Sequence, residues 1–522
     1  MTPAALRERL LDGGELALLD VREQGVHYRG HPFFACSLPL SKIELKVLDL
    51  VPRKAAPVVL LDGGGEELAQ RAQEKLRLLG YADVGILEGG CAAWRETGGE
   101  LFSGVNVPSK AFGEFVEHHY GTPRVPPQEL KRLQDAGGKL VILDSRPWEE
   151  YHRMNIPGGI DVPGAELVYR APELAPDPDT LVVVNCAGRT RSIIGCQSLR
   201  NAGWKDVVAL KDGTMGWELA GFECERGGTR VAAAPGPEGR ARASAAADDV
   251  AKRFQVKFVR AAQAREWLRD PERTTYLLDV RSREEFESGH FAGARHAPGG
   301  QVVQATDEYI GVRHSRVVLS DPERVRSVMT ASWLNQMGWD EVYALESDAG
   351  DWPIETGPRA PLAAEAEAWP TLEAQELARV EASVLDLSTS LHFRARHIPG
   401  AWWAVRSRLA EAREKLADAK RLVLTSEDGR LARYAAPEAA RLWPRAQVQV
   451  LEGGNAAWFA ERLPEERGLA RATTANDDVW YKPYDHEHES DYEKHARAYL
   501  DWEVALVEQI RRDPAIRFRA YD

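Results

Sequence analysis

The stretch LVVVNCAGRTRS, Leu181 to Ser192, ends an apolar, β-branched run in one cysteine, Cys186, followed by a glycine, two arginines and two hydroxyls. These residue types in one short window suit a nucleophile held in an anion cradle. A chain leaving a strand and curling into a helix points successive backbone N–H groups at one spot, which holds an anion. Gly188 gives such a turn conformational freedom, and Arg189 and Arg191 add cationic forks that fit a tetrahedral oxyanion. The same field favours a thiolate, the reactive form of cysteine, so Cys186 reads as a nucleophile. The plain alternative is a small residue closing a core strand. The glycine, both arginines and Ser192 weigh against it.

A cysteine in this role needs a strand end, because ligands of open parallel α/β sheets sit at the carboxyl ends of strands. The chain supplies that setting four times. A strand ending in aspartate recurs at Asp20, Asp144, Asp279 and Asp386, followed in three cases by Arg22, Arg146 or Arg281. An apolar strand follows at PVVLLD, LVVVNC, RVVLSD and RLVLTS, then a helical stretch, then the boxes LEGGCAAW, LKDGTMGW, LESDAGDW and LEGGNAAW. Asp144 to Cys186 is 42 positions, and the same step takes Asp20 to Asp62 and Asp279 to Asp321; Asp386 reaches Ser426 after 40. From those four positions to Trp217, Trp94, Trp352 and Trp458 is 31 or 32. One unit of about a hundred residues repeated four times is the simplest account. Strands alternating with helices predict an α/β fold, each copy a parallel sheet flanked by helices on both faces.

The expected units are residues 1–103, a linker 104–125 with a short helix from about Ser109 to His119, 126–228 carrying Cys186, a linker 229–250, 251–358, 366–465 and a helical tail 466–522. The 229–250 linker is rich in Ala, Gly, Pro and Arg and reads as flexible, which would split the chain into a front and a back half. In the tail, Tyr492, Ala496, Tyr499, Trp502 and Leu506 form a roughly helical stripe. It suits packing on copy four, a dimer contact or a lid on the copy with Cys186.

The repeat and the loop together resemble the rhodanese family of sulfurtransferases over about four fifths of the chain. The resemblance implies that Cys186 accepts a sulfane sulfur from a donor such as thiosulfate, becomes a persulfide and passes the sulfur to a nucleophile. Ala187, Gly188, Arg189, Thr190 and Arg191 correspond to the family's loop, and Ser192 opens the helix. The segment MNIPGGI departs from the family's G-H-I-P-G-A wording. Phosphatases of this fold place five residues between cysteine and arginine. Four separate Cys186 from Arg191, so sulfur transfer fits better than phosphatase or arsenate reductase activity. Two loop arginines favour thiosulfate as donor, with mercaptopyruvate as the alternative. Cyanide, a thiol or a thioredoxin-like protein would serve as acceptor. The resemblance implies no metal or organic cofactor. A scaffold that docks a sulfur acceptor is the non-enzymatic alternative, and the intact loop weighs against it.

The other copies lack the thiol. Asp62 and Glu67 bring negative charge to the loop of copy one. Asp321 and Pro322 replace the nucleophile and one cradle N–H in copy three, leaving Arg324 and Arg326 for weak anion binding. Ser426 stands in copy four without a paired base in the sequence. These copies are expected to shape the cleft, pair with copy two or bind a partner. Asp144 and Arg146 either position the loop or form a structural ion pair, and their recurrence in copies without cysteine favours the second. Cys196, ten positions after Cys186, is too far along a helix to resolve it. Cys36, Cys91 and Cys224 read as structural or surface thiols. His118 and His119 read as linker residues, and His486, His488 and Asp491 match no metal-ligand spacing.

Bulk properties narrow the classes. Eighty acidic against sixty-seven basic residues give a net charge of −13, which argues against nucleic acid or an anionic membrane as main partner. No apolar run reaches membrane-spanning length. Five scattered cysteines without CxxC spacing fit a reducing cytoplasm.

Overall fold

The structure, a computed structural model, describes residues 1–522 other than 66, 349, 487, 488 and 522; His488 therefore lies outside the described residues. Four parallel sheets follow one another along the chain, four-stranded in copy one and five-stranded in the others, and copy three adds a two-stranded antiparallel pair, His290–Phe291 with Ile354–Glu355. In copy two, strands β1 (Arg124–Val125), β2 (Leu140–Asp144), β3 (Ile160–Asp161), β4 (Leu181–Asn185) and β5 (Val207–Leu210) lie in the order β1-β5-β4-β2-β3. All pairs are parallel. The β2–β4 register sets Asp144 opposite Asn185, so Cys186 leaves the sheet directly beside the aspartate that ends the neighbouring strand.

Alternation along β4 builds a core on each face. Val182 and Val184 pack with Leu167 and Ala171 of helix α2 (Leu167–Leu174) and Cys196 and Leu199 of helix α3 (Thr190–Asn201). Val183 points the other way, with Leu130 and with Trp217 of helix α4 (Gly213–Leu219). Three of the tryptophan boxes close their copy in the same way. The indole N–H of Trp94, Trp217 and Trp458 each donates to a backbone carbonyl six residues on, at 2.8–2.9 Å.

Two expectations about the connections are overturned. Residues 229–250 are not a flexible linker: Pro237–Arg253 form helix α5, with Ala243, Ala247 and Val250 buried. Alanine is the best helix former, and small residues spaced by four and three give a narrow stripe that packs closely. Nor does the chain divide into a front and a back half. Copies one, two and three share one continuous buried cluster that includes α5. Copy two meets copy three through the Glu166–Arg326 ion pair at 3.3 Å and a 2.9 Å bond from the Trp333 indole to Ser198 Oγ. Copy four joins copy one through Arg406 and Glu44 at 2.8 Å.

The segment after copy four is a strap across all four copies. It runs along copy four at Trp403, whose N–H donates to Arg471 O, and stacks Trp480 on Tyr28 of copy one. Helix α6 (Glu489–Ile510) then crosses copy two, and beyond it Arg519 pairs with Asp340 of copy three. Among the described residues no helix is long and apolar enough to cross a membrane.

Candidate active site

Cys186 sits at the carboxyl end of β4, 2 % exposed. Its Sγ lies 3.5 Å from Ser192 Oγ, which donates to Arg189 O at 2.8 Å and so fixes the width of the loop. Below it, Asn185 Nδ2 donates to Asp144 Oδ2 at 2.9 Å, and Arg146 grips the same carboxylate at 2.9 and 2.7 Å. Asp20–Arg22 and Asp279–Arg281 repeat that grip in copies without the cysteine, so the pair is a structural fixture; in copy two it also holds the residue before the thiol. The α4 box closes the loop from the side: Thr214 N and Met215 N donate to Cys186 O and Ala187 O at 2.8 and 2.9 Å. Gly213 has a φ of +57°, and a Cβ there would collide with Cys186 O.

The forks of the two loop arginines are both engaged. Arg189 binds Glu114, Glu117 and Asp212, all three at once, with 2.6 Å to Glu114. Arg191 pairs with Glu150 at 2.8 Å. Burial opposes both charges of that pair, yet the Arg191 guanidinium holds the Glu150 carboxyl down at about 2.

Two elements from outside copy two wall the loop. Helix α1 (Val107–Tyr120) brings Lys110, Glu114 and Glu117. Lys110 is buried, 3.6 Å from Glu503, and burial lowers its pKa; both it and Arg191 act electrostatically on Cys186. Helix α6 brings Tyr499, Leu500 and Glu503. Thr190 Oγ1 and Tyr499 Oη each donate to Glu503 Oε1 at 3.0 Å, while Glu503 Oε2 is buried without a partner. A Cβ on Gly188 would stand 3.3 Å from both Tyr499 and Glu503, so the missing side chain lets α6 press onto the loop. Ala496 and Leu500 pack on Met215 and Ala187. The tail stripe covers copy two through Tyr492, Ala496 and Tyr499, and its far end, Trp502 and Leu506, packs on Phe33 and Phe102 of copy one. Tyr499 also walls a cavity of about 390 Å³, shared with Tyr28, Trp480, Tyr481 and Trp502.

Sequence reasoning missed Lys110, Glu114, Glu117 and Glu503. The first three recur at spacings of four and three on the linker helix, a charged face that was legible. Glu503 lies 313 positions from Thr190, and nothing local marks it. His118 and His119 end α1 on the exposed side.

In the other copies an internal carboxylate or hydroxyl takes the place of a bound anion. Asp62 accepts the N–H groups of Gly64 and Ala69 at 2.8 and 3.2 Å. Asp321 accepts Arg326 N–H at 2.8 Å and the Arg326 fork at 2.9 Å. Arg326 is fully buried and also binds Glu166 and Glu285, and Arg324 pairs with Asp248 at 3.5 Å, so both arginines expected to bind an anion weakly in copy three are already engaged. Ser426 Oγ, fully buried, faces Ala432 N–H at 3.4 Å. Cys36, Cys186, Cys196 and Cys224 form no disulfide. Burial pushes Cys196 and Cys224 up to about 12 and Cys36 higher still, which keeps them protonated and inert.

A single cysteine on a loop between a central parallel strand and a helix, in one of four copies of the same α/β unit, is the arrangement of a rhodanese-like domain. The rhodanese-like domain model matches residues 2–97, 126–220, 260–353 and 370–461; the chain belongs to the rhodanese family. The crystal structure of thiosulfate sulfurtransferase from Pseudomonas aeruginosa is similar over 100 % of this chain and 99 % of that one, at 46 % identity and a TM-score of 0.94. The HTH-type transcriptional regulator Rv0324 of Mycobacterium tuberculosis is 37 % identical over 99 residues, 19 % of this chain and 43 % of that protein. SseB of the same organism, named as a candidate thiosulfate sulfurtransferase, is 30 % identical over 128 residues, 22 % of this chain and 43 % of that protein. The chain thus spans less than half the length of these two curated relatives.

Proposed function

We propose that this chain is a cytoplasmic thiosulfate sulfurtransferase in which Cys186 alone carries sulfur. The observation that carries this reading is the position of Cys186: at the mouth of a backbone cradle, beside Arg191, Lys110 and the N-terminus of α3. The Cys186 thiolate attacks the outer sulfur of thiosulfate. The S–S bond of the donor breaks and sulfite leaves with its electron pair. The persulfide rests in the cradle, where loop N–H groups stabilise its terminal negative charge. An acceptor nucleophile then attacks the outer sulfur and restores the thiolate. Cyanide becomes thiocyanate; a thiol or a thioredoxin-like protein is the cellular acceptor.

Thiosulfate as donor is supported by the similarity to the Pseudomonas aeruginosa enzyme over the whole chain and by a loop too short for a phosphate ester. A reducing compartment is supported by Cys36, Cys186, Cys196 and Cys224 standing outside any disulfide. The burial of Cys186 under α6 makes uncovering of the loop a step of the cycle, with the acceptor entering past Tyr499. Thiosulfate–cyanide turnover by wild type and Cys186→Ser tests the reading: the variant loses turnover, and a fully active variant would sink it.

A further inference from the structure

Along the strap from the Cys186 loop, a cation without a carboxylate partner faces a cavity with aromatic and aliphatic walls and a few polar groups. The cavity, about 270 Å³, lies where copy one, copy three and residues 515–519 meet, with Phe33, Ile310, Trp339 and Phe518 in its walls alongside the carboxyls of Asp307 and Asp340. Arg313 enters it from copy three, its guanidinium stacked on Phe34 at 3.4 Å from the ring centroid. Among the described residues no hydrogen bond or ion pair reaches that guanidinium. Burial pulls its pKa down to about 10, with Asp513 and Asp340 acting only from beyond ion-pair range. Of the two strap cations that also line it, Arg517 and Arg519, the second is already held by Asp340.

A second polar group on the same wall is answered on one side alone, His314 Nδ1 reaching Asp340 at 4.0 Å. His314 holds a left-handed backbone, φ +57°, and its Nε2 is buried without a partner. Backbone strain and unsatisfied buried polar groups concentrate at functional sites. Burying a charge without an acceptor is costly, and a guanidinium fork matches a carboxylate with two parallel bonds. Apolar walls with a few convergent polar groups are the usual build of a small-molecule site. They disfavour a fully hydrated inorganic dianion such as thiosulfate and favour an anion with a hydrocarbon body.

We propose that this cavity is a second ligand site, separate from the Cys186 loop, for a small carboxylate carrying an apolar body, with Arg313 as its anchor. Calorimetric titration of the full-length protein with octanoate, and with 1-octanol as the neutral counterpart, tests this. Octanoate is expected to saturate one site per chain and to bind at least about tenfold tighter than octanol, the difference a charge-assisted pair supplies. Arg313→Gln is expected to remove that preference and Arg313→Lys to keep part of it, both with thiosulfate turnover unchanged. Absence of saturable octanoate binding, equal binding of the alcohol, or undiminished octanoate binding by Arg313→Gln would each overturn the proposal. The wild-type comparison of acid with alcohol stands whichever variant folds.

Discussion

Glu503, near the end of the chain, accepts the hydroxyl proton of Thr190 in the Cys186 loop at 3.0 Å. A residue of the strap is therefore bonded to the cradle itself, and α6 must shift before a donor or acceptor meets the sulfur. Leu500, on the same helix, packs with Met215 beside that contact. Leu500→Asp is expected to loosen α6 locally, because a carboxylate buried there costs about 2–4 kcal/mol. Alkylation of Cys186 by iodoacetamide, followed by peptide mass mapping, should accelerate by roughly 10- to 100-fold. An unchanged rate would contradict the cover.

Arg191 and Glu150 form the charge pair nearest the candidate nucleophile, 2.8 Å apart. Arg191→Ala should lower kcat/KM for thiosulfate by about 10²-fold, the usual cost of removing one charge-stabilising donor. Glu150→Gln frees the fork and removes a competing negative charge, so it should lower KM for the dianion. Steady-state kinetics of both variants check this; a raised KM in Glu150→Gln would count against a role for Arg191 in donor binding.

Copy three is closed by its own carboxylate. Asp321→Ala should destabilise the chain by about 2 kcal/mol, because it removes one of the three carboxylates that hold the buried Arg326 guanidinium. Urea unfolding measures it. Asp321→Cys should gain no sulfur from thiosulfate, since Pro322 supplies no N–H to the cradle; sulfur uptake there would show that copy three lacks chemistry for some other reason.

Asp161 gives a pH dependence of stability. Burial, with the Asp144 carboxylate as second cause, raises its carboxyl from 3.8 to about 7. The folded chain therefore holds a proton that the unfolded chain releases, and the contribution of this group to stability falls as pH rises from about 4 to about 7. Asp161→Asn should flatten that part of the profile and stabilise the protein at pH 8. Denaturant unfolding at pH 5 and pH 8 reads the slope; an identical slope in the variant would contradict it.

The sequence is legible wherever a local pattern fixes the fold. The Asp144–Cys186–Trp217 spacing is enough to predict the parallel sheets, because one strand end, one loop and one box serve each other within a single copy. The Cys186 loop is legible for the same reason. Residues 229–250 do not read as a helix because their low hydrophobicity hides an alanine stripe, Ala243 and Ala247, that needs only small side chains to pack. The engagement of Arg189 by Glu114, Glu117 and Asp212 is not legible, since a fork's partner depends on which helix folds over it. Glu503 is invisible for the stronger reason that its contact with Thr190 closes a loop of over three hundred residues.

The most direct test of Cys186 as the sulfur carrier is the intact mass of the protein after thiosulfate, and again after cyanide, for wild type and Cys186→Ser. Wild type is expected to gain one sulfur atom and to lose it on adding cyanide, with no gain in the variant. A gain of sulfur by Cys186→Ser, or none by wild type, would contradict Cys186 as the carrier of sulfur from thiosulfate.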